Sequence, residues 1–109
     1  MVEYSIDGLD DTFHALAHPI RREIVSQLAG NQQTVLELAG HFDISLNGVS
    51  KHIKVLERAG LIQREIHGRM HYCRLNLTPL QHADGWMEHY RWFWNQRLDA
   101  LGDYLEKGK

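Results

Sequence analysis

The chain has 109 residues, 43% hydrophobic and 24% charged, a size and composition that fit one domain with a modest core of its own. No stretch reaches the roughly 18 apolar residues that a membrane span needs, and the opening residues lack the basic and apolar runs of a secretory leader. A single cysteine, Cys73, cannot close a disulfide within the chain, so a cytoplasmic location is expected.

The formal net charge of −2 is unevenly spread. Residues 1–44 carry two basic side chains against seven acids, residues 45–74 carry six against two, and residues 75–109 carry four against five. A basic block on an acidic body attracts phosphates through one face only.

The first apolar-periodic segment runs from about Leu9 to Ala17, with Leu9, Phe13 and either Leu16 or Ala17 on one face. Asp10 and Asp11 would sit near its start, where the helix dipole favours negative charge. Pro19 ends it and opens a second helix carrying Ile20, Ile24, Val25 and Leu28, which Gly30-Asn31 stops. His14 and His18 are four apart, a metal-ligand spacing, but His18 beside the proline reads as a helix cap. Thr34 and Glu37 form a capping box for a short third helix. A fourth starts near Ser45 and buries Val49, Ile53 and Leu56, and Ala59-Gly60 closes it.

The pattern then changes. Leu61–Ile66 and Met70–Leu77 alternate as strands around His67-Gly68-Arg69, which predicts a β-hairpin. Thr78, Pro79 and Gln81 supply a cap, a first-turn proline and a capping-box glutamine for a long last helix. The order is helix, helix, helix, helix, hairpin, helix. The fold class is mainly α with a β-hairpin wing, in one domain over 1–109: a winged helix-turn-helix, with the helix-turn-helix at about 34–59, the wing at about 61–77 and the last helix at about 79–106.

With Val49, Ile53 and Leu56 inward, the fourth helix presents Asn47, Gly48, Ser50, Lys51 and Lys54, donors suited to base edges and phosphates. Double-stranded DNA is therefore the expected partner. The expected contacts are Ser45, Leu46, Asn47, Gly48, Ser50, Lys51, His52 and Lys54 on the helix, with His67 and Arg69 at the wing tip.

At these residues the chain resembles the ArsR family of bacterial dimeric repressors. The matching pieces are Phe13-His-Ala-Leu-Ala-His-Pro-Ile-Arg-Arg-Glu-Ile24, Glu37-Leu-Ala39, Val49-Ser-Lys-His-Ile-Lys-Val-Leu-Glu-Arg-Ala-Gly-Leu-Ile62, and Gly68-Arg69 with Tyr72 and Arg74-Leu75. The resemblance implies a symmetric dimer on an inverted-repeat operator that blocks transcription. Leu46 and Asn47 depart from the residues many relatives carry there, so the operator sequence does not carry over.

Metal-sensing relatives place a Cys-x-Cys pair in the third helix, and Thr34 and Leu36 stand at those positions. Thiolate-bound metal control is not expected, and neither is a cofactor. His82, Asp84 and His89 on the last helix are the remaining metal candidates, off the family's spacing. Cys73 is expected to pack within the hairpin. With one cysteine and no base partner, an enzyme is not expected.

Six of the ten aromatic residues fall on the last helix. Leu9 and Phe13, with Met87, Tyr90, Trp94, Leu98, Leu101 and Leu105, are the expected homodimer interface, while Trp86 and Phe93 point in a second direction. The alternatives are a repressor answering to a metal at His82, Asp84 and His89, one answering to an unidentified small-molecule effector in an aromatic pocket, and a winged-helix protein-interaction module that binds no DNA.

Overall fold

Most helices of the chain begin or end on a side chain that the sequence marks. The computed structural model describes residues 2–108, with side chains from residue 8 onward. Its elements are α1 (Val2–Leu16), α2 (Pro19–Gly30), β1 (Gln33–Thr34), α3 (Val35–Ala39), α4 (Leu46–Arg58), β2 (Ile62–His67), β3 (Met70–Leu75) and α5 (Thr78–Lys107).

His18 caps α2, its Nδ1 accepting from the Ile20 amide at 3.2 Å, and Pro19 occupies the first turn. Thr34 and Glu37 form the expected capping box at α3, and Ser45 Oγ accepts from the Gly48 amide at 3.0 Å to start α4. Gly60, at φ +80°, ends α4 in the left-handed region, and the Leu61 amide closes back on the Leu56 carbonyl at 2.9 Å. That reversal delivers the chain directly into β2.

Two expectations at helix starts need correction. The first helix begins at Val2, well before Leu9, so Asp10 and Asp11 lie inside it and not in its first turn. Thr78 and Gln81 make no capping box, because α5 starts at Thr78 and its cap residue is Leu77. Asn76 serves instead, with Oδ1 accepting from the Thr78 amide at 3.3 Å and Nδ2 donating to the Gly60 carbonyl at 2.9 Å.

The carboxyl end of α1 is satisfied by the next helix. Arg21 Nε donates to the Ala15 carbonyl at 2.6 Å and Nη2 to His14 at 3.1 Å, while Arg22 Nη1 reaches the Leu16 carbonyl at 2.8 Å. Those are the orphan carbonyls that any helix end leaves.

The sheet holds three antiparallel strands in the order β1-β3-β2, one more than the hairpin alone. Gln33 pairs with Cys73 and Thr34 with Tyr72, which fastens the start of α3 to the hairpin. In the hairpin, Ile62 opposes Leu75 and His67 opposes Met70, leaving Gly68-Arg69 as a two-residue loop. Gly68 has φ +61°, the sign a type II′ turn requires at its first position.

One core joins α1 to β3: Ala15, Ile24, Leu28, Leu38, Val49, Ile53, Leu56, Leu61, Ile62 and Cys73 are buried together. The far helix is different. Ala83 is the buried residue of α5, and the large apolar side chains beyond it are exposed. No helix among the described residues is long and apolar enough to cross a membrane.

Candidate DNA interface

The reading face is built by packing α4 from behind. Val49, Ile53 and Leu56 are completely buried, which fixes the roll of the helix and turns Leu46, Asn47, Lys51 and Lys54 outward. Ser45 is exposed but its hydroxyl already serves the helix cap. Gly48 and Ser50 are half-buried on the flank. A Cβ at Gly48 would come within 3.3 Å of both Ile44 Cδ1 and Ser45 Oγ, so the bare backbone keeps the cap and its neighbour undisturbed.

His52 lies apart from the outward row. Its ring packs on that of His18 at 4.4 Å between centroids, and Arg21 Nη1 sits 3.4 Å from its Nδ1. Burial, then the charges of His18 and Arg21, hold this imidazole below its ordinary value of 6.5.

At the wing, Arg69 is exposed at the tip. His67 stands beside it, with Nε2 3.3 Å from Glu65 Oε2 and its ring edge-on to Tyr72. A groove of about 260 Å³ separates the wing from α4, lined by Leu46, Ser50, Arg64, Arg69, Met70 and His71 among others. Among the described residues, Lys51, Lys54 and Arg69 form no ion pair, so their charge is directed outward. Arg64 differs, since its guanidinium is engaged by Glu57.

A helix-turn-helix domain family matches residues 16–65. The transcriptional repressor SdpR of Bacillus subtilis is 35% identical over 79 residues, which is 72% of this chain and 88% of the relative. The transcriptional regulator Rv2034 of Mycobacterium tuberculosis is 31% identical over 97 residues, 89% of this chain and 88% of its own length. Among solved structures, the ArsR family transcriptional regulator RHA00566 superposes with a TM-score of 0.74 at 32% identity, over 85% of this chain and 93% of that one. The chain belongs to the ArsR family. It is a transcriptional repressor, and its DNA-binding winged helix-turn-helix is the fold that the order of its elements predicts.

Thr34 and Leu36 stand where the resemblance to metal-sensing relatives places cysteines. Thr34 is buried and spends its hydroxyl on the α3 cap, and Leu36 is 67% exposed with no donor atom. Among the described residues, no three His, Cys, Asp or Glu side chains gather as a metal site. Asp84 faces Arg91 at 3.5 Å, while His82 and His89 border a cleft of about 620 Å³ between α1 and the first half of α5. Cys73 is fully buried, and burial raises its thiol above the usual range, against the opposing pull of Arg64.

The expected interface residues form an open apolar surface. Leu9 is half-buried and Phe13 39% exposed, its ring edge-on to Trp86 at 5.9 Å. Met87, Tyr90, Trp94, Leu98, Leu101 and Leu105 are all exposed. Trp86 continues into Tyr90 at 5.2 Å, and Arg97 stacks on Phe93 at 4.4 Å.

Proposed function

We propose that this ArsR-family protein is a homodimer that represses transcription by seating two copies of α4 in successive major grooves of an inverted-repeat operator. The observation that carries this reading is the combination at α4: a helix packed rigidly by Val49, Ile53 and Leu56 whose opposite face is polar, cationic and open. Asn47 and Ser50 read base edges, Leu46 packs on a thymine methyl, and Lys51 and Lys54 neutralise phosphates, with His67 and Arg69 on the flanking backbone. The apolar surface of α1 and α5 supports the dimer, since an exposed patch of this kind marks an interaction site. Control is independent of a thiolate-bound metal, because Thr34 and Leu36 offer no soft ligand.

The test is fluorescence anisotropy with DNA from upstream of the protein's own gene, titrated with salt. Affinity should fall steeply as salt rises, and Lys51→Ala should weaken binding and lower the salt slope by about 1. Binding that ignores salt and survives Lys51→Ala would overturn the assignment and favour a protein-interaction module.

A second reading concerns the signal. The cleft lined by Thr12, Gln81, His82, Trp86 and His89 supports an effector that loosens operator binding. Adding zinc, then chelator, to the protein–DNA complex separates a metal effector from an organic one.

A further inference from the structure

We infer that Glu57, Arg64 and His71 form a brace that sets the angle of the wing against the reading helix, and that these are positioning residues for the DNA contact made by Arg69. The inference rests on the reading of α4 and the wing as the DNA-binding face.

The geometry joins three elements through one side chain. Arg64 on β2 donates from Nε to Glu57 Oε2 at 3.3 Å and from Nη2 to Oε1 at 3.1 Å, a bidentate fork onto the last turn of α4. Its Nη1 lies 3.3 Å from Nδ1 of His71 on β3. Arg64 pairs across the ladder with Cys73, so His71 is its diagonal neighbour on the same face of the sheet. Arg64 is largely enclosed, its side chain 20% exposed, whereas Lys51, Lys54 and Arg69 stand open. A guanidinium planted for simple phosphate attraction has no need of a carboxylate that cancels its charge.

A wing is a lever. From Arg64 to the Gly68-Arg69 tip is about 15 Å of strand, so a swing of about 10° at the base moves the tip by about 2.5 Å. That displacement takes a guanidinium out of hydrogen-bond reach of a phosphate. A fork accepts only one orientation, which a lysine or a single hydrogen bond would not enforce.

The brace and plain electrostatics predict opposite signs for one substitution. Glu57→Gln removes an acid from the DNA-facing block, so charge alone predicts tighter binding. The brace predicts binding roughly 5-fold weaker, because the fork is lost and the wing swings. The experiment is a double-mutant cycle on the full chain: Glu57→Gln, Arg69→Ala and both together, measured by anisotropy on the same upstream DNA, with thermal melts of each free protein. The expected result is a clear loss in each single variant, a double variant no weaker than Arg69→Ala, and little change in melting. Arg64→Lys should reproduce the loss although it keeps the charge.

Unchanged or tighter binding by Glu57→Gln would overturn the brace. So would losses that simply multiply in the double variant, since Glu57 would then act elsewhere than through Arg69. If Arg69→Ala alone has no effect, there is no wing contact to position and the proposal fails while the assignment of α4 stands. If the unaltered protein shows no salt-dependent binding, the DNA reading itself fails and takes the brace with it.

Discussion

The two halves of this molecule solve the problem of burying apolar surface in opposite ways. From the end of α1 to β3 the chain is self-sufficient: helix caps at His18, Thr34 and Ser45 hold the ends, and Ala15, Ile24, Leu38, Ile53, Leu56 and Leu61 fill the centre. The surface this leaves is mixed and locally cationic, with Leu36, Leu46, Ile66 and Met70 open among polar side chains. In α5 the proportions are reversed, with Trp86, Trp92, Phe93, Trp94, Leu98 and Leu101 all open. The first half has its core inside one chain, and the second is half a core that calls for another surface to complete it. The lesson is that hydrophobic content alone does not locate a core. What separates the halves is whether capping and sheet pairing close the apolar residues within reach of each other.

The sharpest way to break this contrast is to damage each half and compare. Ile53→Ala should destabilise by about 2–5 kcal/mol, read from urea unfolding, because a fully enclosed side chain leaves a cavity. That loss should be the same at every protein concentration when referred to the monomer fold. Trp94→Glu with Leu98→Glu should act differently. Sedimentation should show the proposed dimer replaced by monomer, with affinity for the proposed inverted-repeat operator down about 100-fold as the two half-sites are engaged separately. A dimer that survives both glutamates would place the partner surface elsewhere.

Smaller changes sharpen the same division. Ser45→Ala removes the cap of α4 and should cost about 1 kcal/mol in thermal or urea unfolding. The last expected effect concerns acid. His52 holds fewer protons folded than unfolded just below its ordinary 6.5, so stability is complete above that pH and declines as pH falls through it. The groups that face it are the His18 ring and the Arg21 guanidinium, and neither supplies a negative charge to offset its own. Melting temperatures between about pH 7.5 and 5 should show this slope, and His52→Gln should flatten it. An equal slope in the variant would move the effect to another histidine.

Features whose causes are local were readable from the sequence. The Thr34–Glu37 box, the Ser45 cap, the His18-Pro19 start and the 49/53/56 spacing each lie within a few residues, and each took the expected form. The helix-turn-helix and its wing followed from their order. Non-local features were not readable. The strand β1 is two residues long and exists because Cys73 and Tyr72 lie opposite, some forty residues away. Arg64 counted toward the basic block, yet Glu57 across the α4–β2 turn claims its charge. Thr78 had the composition of a cap but not the place, because Asn76 was already tied to Gly60. Propensity says what a residue does well, and packing decides which residue gets to do it.

Arg21, on α2, lies within the first half and reaches toward the second only through α1. Its Nε and Nη2 are spent on the last carbonyls of α1, the helix that carries Phe13 toward α5, while Nη1 meets His52 on the flank of α4. A planar guanidinium with donors engaged on two helices permits little independent tilt between them. In a dimer built on α1 and α5, the pitch of one subunit against the other would thus be transmitted to the reading helix as through a stiff coupling, and the spacing of the two half-sites would depend on a residue that is part of neither proposed surface.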